Sequence, residues 1–226
     1  MTRFVVGMRM LMIALIAIAL VATLTDTSGL VPDSFFDIAS FYTFQTNIIL
    51  AIVLVVLTWH SLRGSTPGRW VEYGRAFSAV NLVVVGILYW SMIFPRGTED
   101  GAQMVWVMII SHIATPVYFA VEYMVVGSRE ALPLRHWWII AGYAGVWTVA
   151  TVARTAQGDY IAYDHLDPAQ HSYLTIATTV SWHSVILLAA TVVALRVRRF
   201  RAIDEPAQGT EPVRARQPAR VLTRVR

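Results

Sequence analysis

Six long apolar runs, separated by short stretches rich in Gly, Pro and charge, constrain this chain more than any other feature. They are Met8–Leu24, Phe41–Leu62, Ala76–Phe94, Met104–Val126, His136–Ala153 and Ser172–Leu195. A membrane-crossing helix needs about 20 mostly apolar residues, because the hydrocarbon layer is about 30 Å thick and a helix rises about 1.5 Å per residue. Every run is of that order. Composition agrees, with 56% hydrophobic and 14% charged residues, too little polar surface for a soluble domain of 226 residues. The expected fold is all-α, an integral membrane six-helix bundle over residues 1–200. Residues 201–226 are expected to be a disordered, Arg-rich cytoplasmic tail.

Charge sets the expected orientation. All 18 basic residues are arginine. Sixteen fall on one side of the six runs: Arg3 and Arg9, Arg63 to Arg75, Arg129 and Arg135, and those from Arg196 onward. Arg96 and Arg154 fall on the other. The positive-inside rule then places both termini in the cytoplasm of a multi-pass protein of the cell membrane. The alternative for the first run is a signal peptide, but no convincing small-x-small cleavage signal lies near Ala22. The tail, with three prolines and six arginines, suits anionic lipid head groups. Nucleic acid is not expected as a partner, since neither a fold nor an aromatic platform accompanies the charge. The opposite loops are acidic (Asp26, Asp33, Asp37, Glu99, Asp100, Asp159, Asp164, Asp167) and read as solvated carboxylates. The chain contains neither Cys nor Lys, which removes thiolate nucleophiles, Cys-ligated metals, Schiff bases and P-loop chemistry.

Polar residues inside the bilayer are costly, so each is a functional candidate. The second run opens FYTFQTNIIL, with Thr43, Gln45, Thr46 and Asn47. Thr43 and Asn47, four apart, share a helix face. Gln45 lies well round from them, and spacing alone reads the cluster either as interhelical hydrogen bonding, the commoner role of such residues, or as a functional site. The fourth run contains SHIATP. Pro116 has no N–H for the carbonyl of His112, four residues earlier, and should bend the helix there. An imidazole at a kink is either a built site or a packed structural histidine. Glu122, ten residues further on, is expected to reach the interface at the cytoplasmic end. His183 is a proton-active group, a ligand or a satisfied core histidine, and Asn81 a helix-packing contact. The second and fourth runs point the same way across the bilayer. His112 lies about 12 Å from Met104 along its helix, so Thr43 and His112 can share a depth in the outer half. A hydroxyl beside an imidazole is the minimal apparatus for acyl transfer.

At these motifs the chain resembles the FAR-17a/androgen-induced membrane protein family and its prokaryotic six-span relatives. The resemblance is carried by Phe41, Tyr42, Thr43 and Phe44 opening the second run, and by His112, Pro116 and Glu122 in the fourth. The loop Tyr163–Pro168 matches a Tyr–Pro–Phe–Leu-type segment in part, departing from it at Asp164 and His165. Animal members hydrolyse fatty acid esters of hydroxy fatty acids by a threonine-type mechanism. The resemblance therefore implies Thr43 as nucleophile and His112 as base.

The leading expectation is an intramembrane lipid-ester hydrolase whose partners are membrane lipids and a lipid-like substrate. Gln45, Asn47 or a backbone N–H are the oxyanion candidates, and neither metal nor other cofactor is expected. The alternatives are a transporter or non-catalytic scaffold, and a haem-binding bundle using His112 and His183 as axial ligands.

Overall fold

The structure is a computed structural model describing residues 2–26, 34–94, 104–127, 131–158 and 163–196. The Arg-rich tail, together with Asp33, Glu99, Asp100 and Asp159, lies outside the described residues. The described residues are helical, with no β-strand. In chain order the helices are α1 (Thr2–Leu24), α2 (Phe35–Ser40), α3 (Tyr42–Arg63), α4 (Arg69–Leu88), α5 (Val105–Ile109), α6 (Thr115–Val125), α7 (Trp137–Ala156) and α8 (Tyr173–Arg196). A π-turn, Tyr89–Ile93, extends α4, and a second, Ile110–Ala114, joins α5 to α6 into one rod. Short 3₁₀ turns at Leu134–His136 and Asp164–Leu166 precede α7 and α8.

Five helical rods among the described residues are long and apolar enough to cross a membrane: Arg3–Leu24, Tyr42–Arg63, Arg69–Met92, Val105–Val125 and Tyr173–Arg196. The remaining apolar run forms α7, 20 residues long, but it is not among the five. Three tryptophans, Tyr143, two glycines and Arg154 lower its mean hydropathy. Its length suits a span while its tryptophans suit an aromatic boundary.

Helix α4 lies at the centre and packs against α3, α6, α7 and α8. Its span is the most buried of the five, because small residues (Gly74, Ala76, Ser78, Ala79, Gly86) let neighbouring backbones approach. Asn81 is fully buried on α4 and acts as the expected packing contact. Its amide donates to the Phe77 and Ile140 carbonyls, and its oxygen accepts from the Tyr42 hydroxyl, linking α3, α4 and α7.

Glu122 does not reach the interface as the sequence suggested. It is buried and pairs with Arg9, itself fully buried, at 2.9 Å. The Arg9 guanidinium also donates to the Leu57 carbonyl and the Ser61 hydroxyl, and Tyr118 donates to the second Glu122 oxygen. A charge in an apolar interior must be paired and hydrogen-bonded, and this network ties α1, α3 and α6 at one point. Nearby, Arg75 bonds Glu72 and the Val126 carbonyl. Gly127 (φ +98°) is needed there, since a Cβ would fall 2.2 Å from an Arg75 nitrogen. At the opposite end of the bundle two acids have structural partners where solvation was expected. Asp37 pairs with Arg154 at 3.0 Å, and Asp167 accepts from the Ala169 amide.

Removing one member of the Arg9–Glu122 pair leaves an uncompensated buried charge. Glu122→Ala or Arg9→Ala should therefore destabilise the bundle by about 3–5 kcal/mol. The double variant Arg9→Met/Glu122→Gln should recover most of that loss in thermal unfolding in detergent, because no charge remains unpaired.

Candidate active site

Two local irregularities bring the site together. Pro116, the second residue of α6, offers no N–H, and the chain responds with the π-turn Ile110–Ala114, in which the Thr115 amide bonds the Ile110 carbonyl. The carbonyl left over at His112 accepts from the indole Nε1 of Trp90 at 3.3 Å. Trp90 sits in the other π-turn, Tyr89–Ile93, so the two widened turns face each other. Gly86 permits the approach: a Cβ there would lie 3.3 Å from the same His112 oxygen.

His112 is buried, and its ring stacks on Tyr89 with centroids 3.7 Å apart and planes at 22°. Its Nδ1 lies 3.2 Å from the Met108 carbonyl, and its Nε2 lies 3.3 Å from Thr43 Oγ1. A carbonyl can only accept, so Nδ1 carries the proton and the Nε2 lone pair faces the hydroxyl. Thr43 is the second residue of α3, which begins after the break at Phe41. Its carbonyl accepts from Asn47 Nδ2 (2.9 Å) and Thr46 Oγ1 (3.1 Å), holding the first turn of α3 in place.

The remaining candidates take other places. Asn47 uses its amide on the Thr43 carbonyl, and Gln45 donates to the Ala39 carbonyl while accepting from the Tyr143 hydroxyl. Neither lines the cavity described next, so of the oxyanion candidates only a backbone N–H remains near Thr43. The first amides of a helix have no intrahelical acceptor and carry the positive end of its dipole, and Thr43 stands among them. His183 lies apart from the pair, its Nε2 2.9 Å from Met92 Sδ and its ring 5.6 Å from that of His165. With both His112 nitrogens engaged, a bis-histidine haem through His112 and His183 would require breaking the contacts just described.

Thr43, His112 and His183 open onto one cavity of about 380 Å³ among α3, α4, α7 and α8. Aromatic rings close it near the start of α3, where Tyr42 packs on Trp147 (4.9 Å) and Trp147 on Tyr163 (5.5 Å). Spacing could not have found Tyr89, Trp90, Met92 or His165, because each reaches the site through a π-turn or a 3₁₀ turn that no helical periodicity encodes. Among the described residues no three His, Asp or Glu gather at one point.

The fold and site together define a protein whose described residues are helical, with five membrane-length apolar helices and a Thr–His pair at a partly open cavity. Compared with family models, curated proteins and solved structures, the chain matches none.

The site's dependence on close backbone approach gives a stability test. Gly86→Leu forces α4 away from the His112 carbonyl and should destabilise by about 1–3 kcal/mol. Gly142→Ala, where a Cβ meets nothing within 4 Å, should be neutral or slightly stabilising. Thermal unfolding of both variants in the same detergent checks the contrast.

Proposed function

We propose that this protein is a six-span integral membrane hydrolase of lipid esters, with Thr43 as nucleophile and His112 as general base. The observation that carries the reading is the hydroxyl–imidazole–carbonyl line: Thr43 Oγ1 to His112 Nε2 at 3.3 Å, and Nδ1 to the Met108 carbonyl at 3.2 Å. Catalytic hydrogen bonds are often this long before substrate binds. The resemblance to the FAR-17a/androgen-induced family points to the same two residues, and the largely apolar cavity suits an acyl chain.

The proposed reaction balances on these groups. Oγ1 attacks the ester carbonyl as its proton passes to Nε2, and the oxyanion faces the free amides at the start of α3. Collapse expels the alcohol, which takes the proton back from Nε2 and leaves an acyl-threonine. Water then attacks the acyl carbon, giving its proton to Nε2, and the acid departs as that proton returns to Oγ1. During each charged stage the Nδ1–H bond to Met108 supports the imidazolium. The orientation that accompanies this reading has both termini cytoplasmic, α7 as the sixth span and the Thr–His pair in the outer half, with substrate entering laterally from the lipid.

Thr43→Val and His112→Gln should each lower ester hydrolysis by about 10²–10⁴-fold. The double variant should be scarcely worse than either, since groups acting as a unit are strongly non-additive. Thr43→Ser should keep part of the activity, and a fluorophosphonate probe should label wild-type membranes but not Thr43→Ala. Acid should abolish turnover, because a protonated imidazole has no lone pair to accept with. If folded Thr43→Val and His112→Gln proteins hydrolyse lipid esters like wild type, the assignment fails and a scaffold or transporter reading takes its place.

Orientation is tested separately, and cleanly, because the chain has no native Cys. A Cys placed at Ser65 should resist an impermeant thiol reagent in intact cells, whereas one placed at Gln170 should react.

A further inference from the structure

The cavity has two unlike limbs, and the Thr–His pair stands at their junction. Along α4 and its π-turn, Tyr89 stacks on His112, Met92 lies about one turn toward the Asp164–Leu166 end, and Leu88 and Val84 lie the other way. Helix α8 shows the same order in reverse, with His183 beside Met92 and Leu187 one turn further from that end. One limb therefore carries the imidazoles of His165 and His183, beside Met92, Leu166 and Val180. The other is walled by Val84, Leu88 and Leu187 and by the face of α7 that presents Ala141, Ala144 and Gly145, and it ends at Trp137. The small α7 residues leave this limb open, and a Cβ built on Gly145 meets nothing within 4 Å. From Gly145 to Trp137 is about 12 Å of helix at 1.5 Å per residue.

These dimensions select a ligand. A volume of about 380 Å³ is near the low end of the roughly 300–1,000 Å³ range of small-molecule sites. That size suits one acyl chain with its ester group, and the roughly 12 Å of helix from Gly145 to Trp137 sets how much of the chain the apolar limb holds. Burying each methylene in the apolar limb is worth about 0.8 kcal/mol, whereas placing the chain against imidazoles gains less and strips them of polar partners.

We infer that the substrate lies with its acyl chain along α7 toward Trp137 and its alcohol part toward His165 and His183, and that the Trp137 end limits the chain to medium length. This rests on the hydrolase reading. It makes Gly145 and Trp137 specificity-determining positions with no part in the bond-breaking step.

The test uses nitrophenyl butyrate, octanoate and palmitate with purified full-length protein in lipid nanodiscs. Wild type should prefer octanoate. Gly145→Leu should lower kcat/KM for octanoate at least tenfold while sparing butyrate, since pocket discrimination of about tenfold or more per methylene is attainable. Trp137→Ala should raise palmitate relative to octanoate. An identical chain-length profile in wild type and both folded variants overturns the inference. A second arm needs no turnover: octanoic acid with a terminal diazirine is photolysed with Thr43→Val protein, and the adducts are mapped by mass spectrometry. Adducts on Trp137–Ala141 are expected. Adducts on Asp164–Leu166, or none, overturn the orientation. Adducts near Trp137 in a protein whose wild type hydrolyses none of the esters refute the hydrolase reading and leave the chain-binding limb standing.

Discussion

A proline inside an apolar helix removes one amide proton that lipid cannot replace, and the arrangement around His112 follows from that loss. Pro116 leaves the His112 carbonyl without its helical partner. The π-turn Ile110–Ala114 reroutes the neighbouring bond, and the Trp90 indole supplies the missing donor from α4. For Trp90 to reach, α4 must itself widen at Tyr89–Ile93 and come close at Gly86. Closing that contact also sets Tyr89 on the imidazole, so one absent hydrogen specifies a helix–helix interface and the orientation of a buried ring.

The most deeply buried charges are kept apart from this region, and of the ion pairs among the described residues only the partly exposed Asp37–Arg154 shares its end of the bundle. Arg9, Glu122, Arg75 and Glu72 gather toward the end where α4 begins, each with a partner. The Thr–His pair lies toward the end where α3 begins, among aromatic and aliphatic side chains. Opposite charges buried together offset much of their desolvation, whereas a full charge beside His112 would act on its proton through low-dielectric surroundings. The separation lets the bundle be stapled by an ion pair without placing a charged group at the cavity.

Five of the six apolar runs were legible as membrane-length helices because length and hydropathy are properties of contiguous sequence; α7 falls short of the five in hydropathy. The Thr43–His112 proximity was legible in part, since depth along two parallel runs can be counted at a fixed rise per residue. Partners across the bundle were not. Nothing in the spacing of Glu122 names Arg9, more than a hundred residues away, and a carboxylate near a helix end reads as one that reaches water. Gln45 and Asn47 misled in the same way: their types suit an oxyanion hole, but helix phase turns Gln45 to Tyr143 and Asn47 back to the Thr43 carbonyl. His112 was legible although a π-turn holds it, because depth survives the widened turn, whereas the facing of Tyr89, Trp90, Met92 and His165 depends on the π- and 3₁₀-turns themselves.

The third member of the Thr43–His112–Met108 line is a backbone carbonyl where a carboxylate would serve in an aqueous cleft. A carboxylate orients an imidazole and stabilises its protonated form, but in the hydrocarbon region it must itself be desolvated. A helix carbonyl holds the tautomer with a dipole alone and adds no net charge. In the reaction we propose, charge separation between Thr43 and His112 has two sources of stabilisation: the Met108 carbonyl behind the imidazolium, and the amides of the first turn of α3 before the oxyanion. Both are backbone dipoles fixed by helix geometry. On that proposal, a hydroxyl on the first turn of one helix, facing an imidazole at a π-turn of another, meets the electrostatic need of acyl transfer without a buried carboxylate.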